Sequence, residues 1–155
     1  MKLSAPPAGW TLKSDVVVVG SGVAGLTTAL QIRSHNLSVI LVTKSTIDEG
    51  STKWAQGGIA AALGPGDSPS DLKNDTLTAG AGLCDLGAVE VLVTEGPEAV
   101  RRLIARGAVF DKSETGEIAL TREGGHLRDR ILHAGGDATG AEVSRALLKA
   151  VQDDP

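Results

Sequence analysis

The feature that most constrains the fold is an apolar strand that leads directly into three regularly spaced glycines. Residues 15–19 read Asp-Val-Val-Val-Val, and such a β-branched run is typical of a strand buried on both faces of a parallel sheet. The pattern G-x-G-x-x-G follows at Gly20, Gly22 and Gly25, and a helical pattern follows the glycines. Residues 38–43 are a second candidate strand. Together these segments predict one strand–helix–strand unit of about 30 residues.

In a dinucleotide-binding turn, each glycine of the motif is required for a different physical reason. The first permits the tight turn, the second lets the backbone approach a pyrophosphate, and the third lets the helix pack closely against the sheet. The helix N-terminus supplies free N–H groups and the positive end of the helix dipole. The alternative is a tight β–α turn without a ligand, which the strand before the motif and the helix after it disfavour.

The position of the ribose-binding residue departs from the usual fingerprint. An acidic residue is expected about 20 residues further on, at the end of the second strand. Lys44 stands there instead. A cation would favour the 2′-phosphate of NADP, whereas the alternative is a solvent-facing lysine with backbone groups holding the ribose. From the residues alone, the identity of the dinucleotide stays open.

The composition limits the class of protein. The 155 residues suit about one domain, and a hydrophobic share of 41% excludes a disordered tail. No apolar run approaches the roughly 18–20 residues of a membrane span, and residues 1–14 have the pattern of neither a signal nor a transit peptide. The net charge of −4 argues against nucleic acid and anionic membranes. The single cysteine, Cys84, excludes an internal disulfide, suits a reducing cytosol and suggests no metal site. We therefore expect a cytoplasmic protein without a nucleic-acid, membrane or metal partner.

The rest of the chain predicts a long connection followed mostly by helices. Residues 44–66 are largely non-periodic, and so long a connection inside a domain is usually functional. Short extended pieces are expected over 108–122, around a turn at 114–116. Helices are expected after an N-cap at Ser70, from 86 to 94, from 98 to 106 after an interruption at Gly96-Pro97, and from 139 to 151.

Two further blocks are more specific than the glycine motif. They are S-T-K-W-A-Q-G-G at residues 51–58 and T-R-E-G-G-H at residues 121–126. They resemble the flavin-binding loop and the substrate-side segment of the succinate dehydrogenase/fumarate reductase flavoprotein superfamily. The resemblance covers nearly everything from residue 15 onward. It implies FAD as the cofactor, and a lysine at the position of Lys44 is normal in that family.

The resemblance also implies roles within the loop at 51–58. Its backbone would lie against the flavin ring, where Gly57 and Gly58 remove side chains and permit unusual dihedrals. Its N–H groups would bind ring atoms and tune the electron affinity of the flavin. Ser51 stands where succinate dehydrogenase flavoproteins carry the histidine that tethers FAD, which implies non-covalent FAD. Trp54 would either cover the cofactor or pack the loop. The implied cofactor-binding residues are Gly20, Ser21, Gly22, Val23, Ala24, Gly25, Lys44, Ser51, Thr52, Lys53, Trp54, Ala55, Gln56, Gly57 and Gly58.

In the second block the resemblance gives Glu123 a role toward the substrate. Glu123 would orient the substrate's amino group, because a carboxylate is the reasonable partner for an ammonium that succinate lacks. The alternative is a surface carboxylate paired with Arg122 or Arg128. His126 and His133 would either touch substrate or flavin or serve as structural hydrogen-bonding groups.

Taken together, these features predict an α/β fold, a Rossmann-like FAD-binding domain that is incomplete in this chain. Residues 1–14 would form a leader, and 15–155 would form the N-terminal part of the domain. The capping domain and the main acid–base groups would lie beyond residue 155, so we expect the 155 residues alone to bind FAD weakly and to be inactive.

The nearest branch of the superfamily implies the activity. It implies FAD-dependent oxidation of L-aspartate to iminoaspartate, with dioxygen or fumarate as the electron acceptor. That reaction is the first step of de novo NAD biosynthesis, and the product would pass to quinolinate synthase. One alternative is a succinate dehydrogenase/fumarate reductase-type flavoprotein, which Glu123 and Ser51 disfavour. The other is a stand-alone, non-catalytic nucleotide-binding module.

Overall fold

The computed structural model describes Ser4 and residues 7–154. Within the expected leader, residues 7–14 form neither helix nor strand, and residues 1–3, 5 and 6 lie outside the described residues. Among the described residues, no helix combines the length and the apolar character needed to cross a membrane. No group of three or more potential metal ligands occurs among them either.

The N-terminal part of the described chain is the predicted strand–helix–strand unit. Strands β1 (Val16–Val19) and β2 (Val39–Val42) pair in parallel, and helix α1 (Val23–Arg33) connects them. The connection back to β2 passes through Asn36 at φ 60°, a left-handed conformation that asparagine tolerates better than most residues. The α/β unit expected from the sequence is thereby confirmed.

A second, antiparallel sheet follows. Its strand order is β3 (Ile59–Ala60), β5 (Ile131–Leu132) and β4 (Leu120–Thr121), so the last strand in the chain lies in the middle. Both residues of β5 are buried, because this strand lies at the centre of the sheet and packs into the main hydrophobic core. The turn predicted at residues 114–116 is present, with Gly116 at φ 84°.

Three further α-helices lie among the described residues: α2 (Pro69–Ala79), α3 (Leu86–Ala105) and α4 (Thr139–Asp153). Helix α4 packs against α1 through a cluster that contains Leu26 and Leu147. Helices α2 and α3 pack through a separate apolar cluster, against which the half-buried Cys84 lies.

Two of the expected helix boundaries are wrong. Helix α2 begins at Pro69 with Ser68 as its N-cap, whose side chain accepts a hydrogen bond from the backbone N–H of Asp71. The fixed φ of proline suits the first helical position, so the cap lies two residues before Ser70. Helix α3 is continuous through the expected interruption, with Pro97 buried inside it. The packing of its apolar face therefore overrides the local cost of proline.

Candidate functional site

The turn between β1 and α1 requires glycine at two of the three motif positions. Gly20 has φ 110°, and its N–H donates to the carbonyl of Val42 at 2.8 Å, which fastens the turn to the end of β2. A Cβ on Gly25 would overlap the backbone carbonyl of Gly20. At Gly22, by contrast, the nearest atom to a Cβ would be Thr52 Oγ1 at 3.4 Å. The protein therefore fills the space at Gly25 and leaves the backbone of Gly22 approachable.

The N-terminus of α1 is open to an anion. Its N-cap, Gly22, has no side chain to offer, and the first turn contains no acidic residue. Among the described residues, the N–H of Val23 donates to Thr52 Oγ1 at 3.0 Å, and no acceptor contacts the N–H of Ala24. Free N–H groups at a helix N-terminus are the arrangement that binds phosphate.

Ser21 contributes to the turn as a structural residue. Its side chain is buried, and its hydroxyl donates to Thr43 Oγ1 at 3.1 Å. This contact holds the glycine turn against the end of β2. The proton of the Ser21 hydroxyl is therefore used within the protein.

An open cleft of about 430 Å³ lies at the carboxyl ends of β1 and β2. Ligands of open α/β sheets bind at this end of the strands, so its place suits a dinucleotide. Five of the predicted cofactor residues line it together: Gly20, Ser21, Gly22, Lys44 and Ser51. The glycine turn and the open helix N-terminus beside this cleft fit the pyrophosphate of FAD.

The predicted flavin loop begins as a 3₁₀ turn over Ser51–Trp54. Lys53 Nζ lies 3.7 Å from the carboxylate of Asp48 and 5.6 Å from the centre of the Trp54 ring. The Trp54 side chain is 75% exposed, so it does not pack the loop. The other alternative for Trp54, that it covers the cofactor, stays a prediction. The predicted contact of Gln56 with the cofactor stays a prediction too, and Gln56 is exposed.

The two glycines of this loop have different surroundings. Neither Gly57 nor Gly58 has a positive φ, so the unusual dihedrals expected there are absent. A Cβ on Gly58 would lie 2.5 Å from the carbonyl oxygen of Leu132 and 2.9 Å from His133 Cε1. A Cβ on Gly57 would meet nothing within 4 Å. Gly58 therefore lets the loop pack on β5, while the backbone of Gly57 is exposed and has no side chain to cover it.

The start of α4 holds the flavin loop from the other side, which the residue patterns did not predict. The N–H of Gly140 donates to the carbonyl of Ala55 at 2.9 Å, and a Cβ on Gly140 would collide with the carbonyl of Thr52. The preceding Thr139 is buried, and its hydroxyl accepts from the N–H of Ala134 at 3.2 Å. The sequence signal for this contact is Gly140 itself, because glycine is disfavoured within a helix and its presence near the start of α4 suggests a close approach of another chain segment.

Glu123 lies on the hairpin between β4 and β5, beside an imidazole. Its Oε1 is 3.4 Å from His133 Nε2, and Thr121 Oγ1 is 3.1 Å from the same nitrogen. His133 Nδ1 lies 3.1 Å from the carbonyl oxygen of Gly136, which can only accept, so Nδ1 carries a proton. About half of the Glu123 side chain is exposed, which leaves the carboxylate free to bind a ligand.

The arginine-pairing alternative for Glu123 is wrong in this structure. Arg122 Nε lies 2.9 Å from Asp129, and Arg128 Nε lies 3.9 Å from Asp71. His126 faces a different environment from His133, because it lines an apolar cavity of about 450 Å³ bordered by α2, α3 and β3. Its buried Nδ1 has no hydrogen-bond partner among the described residues.

Asp111 supports the segment that carries His133, a role that the sequence did not indicate. Its carboxylate accepts hydrogen bonds from the N–H groups of Gly135 at 2.9 Å and Gly136 at 3.2 Å. These bonds, with a smaller contribution from the charge of His133, lower the pKa of Asp111 below its usual value. The same two glycines have φ 59° and 76°, so the turn that aims His133 depends on them.

Comparisons with known proteins show which family and which proteins the chain is similar to. A family model described as an FAD binding domain matches residues 15–155. The L-aspartate oxidase of Streptomyces coelicolor is 66% identical over 152 residues, which are 98% of this chain and 26% of that protein. The chain therefore spans about a quarter of the length of this curated relative.

Solved structures agree with the family match. Sdh1 of Mycobacterium smegmatis in complex with UQ1 superimposes with a TM-score of 0.83 at 37% identity, over 89% of this chain and 23% of that chain. The quinol fumarate reductase FrdA of E. coli superimposes with a TM-score of 0.82 at 28% identity, over 92% of this chain and 24% of that chain.

Proposed function

The chain belongs to the family of FAD-binding domains, and from this premise we propose that it is the N-terminal part of an L-aspartate oxidase. The observation that carries the proposal is the half-exposed carboxylate of Glu123, whose Oε1 lies 3.4 Å from His133 Nε2. His133 is also close to the flavin loop, because a Cβ added to Gly58 would lie 2.9 Å from His133 Cε1. A carboxylate close to the flavin loop suits a substrate that carries an ammonium group. The similarity to the Streptomyces coelicolor L-aspartate oxidase supports the same substrate.

The glycine turn and the loop at 51–58 would hold FAD. Gly22 lines the cleft and the Ala24 N–H has no acceptor among the described residues, so this backbone would hold the pyrophosphate; Lys44 lines the same cleft as the glycines. When bound, FAD supplies an acceptor for a hydride. Ser51 cannot form the histidyl bond to a flavin, so we propose that the cofactor is non-covalent. Acid precipitation of the loaded protein should leave the yellow colour in solution, and colour in the pellet would contradict this.

Glu123 would bind the ammonium group of L-aspartate and orient its Cα–H bond. In the proposed reaction that bond would break with its electron pair passing as a hydride to the flavin, and the ammonium would lose one proton, which gives iminoaspartate in its iminium form. We propose that the groups clamping the substrate carboxylates and removing the proton lie further along a longer chain. Residues 1–14 would be a leader to residues 15–155, the first part of the FAD-binding domain.

The electron acceptor in this proposal is dioxygen or fumarate. Reduction of dioxygen gives hydrogen peroxide, and reduction of fumarate gives succinate. The proposed setting is the cytoplasm and the first step of de novo NAD biosynthesis. We propose quinolinate synthase as the protein that receives iminoaspartate, because a reactive imine benefits from rapid consumption.

A succinate dehydrogenase/fumarate reductase-type flavoprotein is the second candidate. The fold similarity to Sdh1 and to FrdA favours it. Glu123 argues against it, because a carboxylate beside the substrate would repel a plain dicarboxylate that brings no ammonium.

Anaerobic flavin reduction separates the two candidates. The full-length protein, loaded with FAD, should lose its flavin absorbance on addition of L-aspartate and keep it on addition of succinate. Bleaching by succinate alone would replace the first candidate by the second. Bleaching by neither would favour a nucleotide-binding module.

A further inference from the structure

An ion cluster lies in the protein interior, away from the glycine turn. The Arg130 side chain is fully buried, with Nη2 2.8 Å from Asp67 Oδ1 and Nη1 3.0 Å from Asp75 Oδ2. The side chains of Asp67 and Asp75 are only 1% and 7% exposed. Taking three charges out of water is costly, and replacing them by apolar side chains is often neutral or stabilising. The cluster therefore needs an explanation other than stability.

Arg130 stands where the three strands of the antiparallel sheet meet. Its backbone N–H donates to the carbonyl of Thr121 at 2.9 Å, and its carbonyl accepts from the N–H of Ala61 at 3.0 Å. These bonds link the residue before β5 to the end of β4 and to the residue after β3. The guanidinium thus connects this junction to α2, which carries Asp75, and to the loop that carries Asp67.

Asp75 makes a second contact, with the hairpin that joins β4 to β5. Its Oδ2 accepts a hydrogen bond from the backbone N–H of Leu127 at 2.9 Å. The Leu127 side chain is 78% exposed, so the hairpin is not held there by apolar packing. The ion pair between Arg122 and Asp129 within the hairpin is exposed at both ends, and such pairs contribute little.

We propose that Asp75 is a positioning residue for substrate, acting through the Leu127 N–H to hold the hairpin so that Glu123 stays beside His133. Arg130 forms an ion pair with the Asp75 carboxylate through Nη1, and its Nη2 donates a hydrogen bond to Asp67. The inference rests on the proposed function, since the role of Glu123 toward an ammonium belongs to it. Asp75 touches neither substrate nor cofactor in this scheme.

Three variants of the full-length protein separate positioning from general stability. Asp75→Ala removes both the ion pair and the acceptor for Leu127. Asp75→Asn removes the charge but keeps an amide oxygen for the Leu127 N–H. Asp67→Asn is the matched control, because it also weakens the Arg130 cluster but has no contact with the hairpin backbone.

All three variants should lower the Tm, because each leaves Arg130 less well compensated. Only Asp75→Ala should raise the KM for L-aspartate, by about tenfold, since a small displacement of an orienting group is enough for such a loss. The Kd of FAD should stay within about twofold of the wild type in Asp75→Asn and Asp67→Asn. Equal KM values for Asp75→Ala and Asp75→Asn would overturn the proposal.

Hydrogen exchange of the wild-type protein gives a readout that does not depend on how the variants fold. The Leu127 amide should be protected, whereas the amides of neighbouring exposed residues of the hairpin should exchange fast. Fast exchange at Leu127 would overturn the positioning role. A wild-type protein that L-aspartate fails to reduce would instead overturn the proposed function, so the two failures are distinguishable.

Discussion

The glycine turn and the β4–β5 hairpin are held by different kinds of interaction. The shape of the turn depends on its own backbone, through the φ of Gly20 and the approach of Gly25 to the Gly20 carbonyl, and hydrogen bonds to residues 22 to 29 positions further on fasten it. In the hairpin, the decisive contacts join Leu127 to Asp75 on α2 and Arg130 to Asp67, residues more than 50 positions apart. The shape of the proposed cofactor site thus depends mainly on local backbone geometry, whereas the proposed substrate site depends on polar contacts between residues more than 50 positions apart.

The largest effect should come from removing the buried cation behind the hairpin. Arg130→Met leaves the buried carboxylates of Asp67 and Asp75 without their cation, and we expect a loss of about 3–5 kcal/mol in the free energy of unfolding. Urea denaturation measures it. Lys149→Met is the matched control, because the Lys149–Asp153 pair is exposed at both ends and should contribute less than about 1 kcal/mol. Similar losses in both variants would show that burial of the ions has no special consequence.

The glycine turn should tolerate even one methyl group poorly. Gly25→Ala places a Cβ into the carbonyl of Gly20, so we expect a loss of about 1–3 kcal/mol in stability together with strongly weakened FAD binding. Gly96→Ala is the control, because a Cβ there meets nothing within 4 Å inside α3. It should stabilise by about 0.5–1 kcal/mol. Unchanged flavin binding in Gly25→Ala would contradict the assignment of the turn.

A smaller effect tests the link between the turn and the flavin loop. Thr52→Val removes the acceptor for the Val23 N–H and should lower the free energy of unfolding by about 1 kcal/mol. Thr52→Ser keeps the hydroxyl and should restore most of that loss. If the two variants unfold at the same urea concentration, the hydrogen bond contributes nothing measurable.

The smallest effect is a pH dependence at the segment behind Glu123. The pKa of Asp111 is lowered in the folded protein, mainly by the N–H groups of Gly135 and Gly136. A lowered pKa contributes stability that is present above the unfolded value and lost as pH falls through the folded value. Between about pH 5 and pH 3, the wild type should therefore lose more stability than Asp111→Asn. Parallel urea midpoints for the two proteins over that interval would contradict the role of Asp111.

The same contrast explains what could be predicted from the sequence. The strand, the glycine spacing and the helix of the first unit are local signals, and the structure has all of them in place. The continuous helix α3 was missed, because the burial of Pro97 depends on residues that the local pattern does not include. The N-cap of α2 lies two residues before the predicted Ser70, because proline at position 69 suits the first position of the helix.

In the candidate site, too, the residues near the glycine motif could be predicted from the sequence and the supports of the hairpin could not. Gly20, Gly22, Lys44 and Ser51 were predicted together and line one cleft, because the carboxyl ends of parallel strands meet there. The supports of the hairpin were not predicted, since no spacing relates Asp67 and Asp75 to Arg130. Gly58 was assigned to the flavin, yet its immediate packing reason is β5. Interactions between residues distant in sequence have no local pattern that would reveal them.

One substitution tests most directly whether the two regions divide the work between cofactor and substrate. In the full-length protein, Glu123→Gln keeps the hydrogen-bonding capacity of the side chain and removes the charge that would bind an ammonium. We expect an unchanged Kd for FAD and a fall of about 10–100-fold in kcat/KM for L-aspartate, with Glu95→Gln, at an exposed residue, as the control that changes neither. An unchanged kcat/KM in Glu123→Gln, or an equal loss of FAD binding, would contradict it.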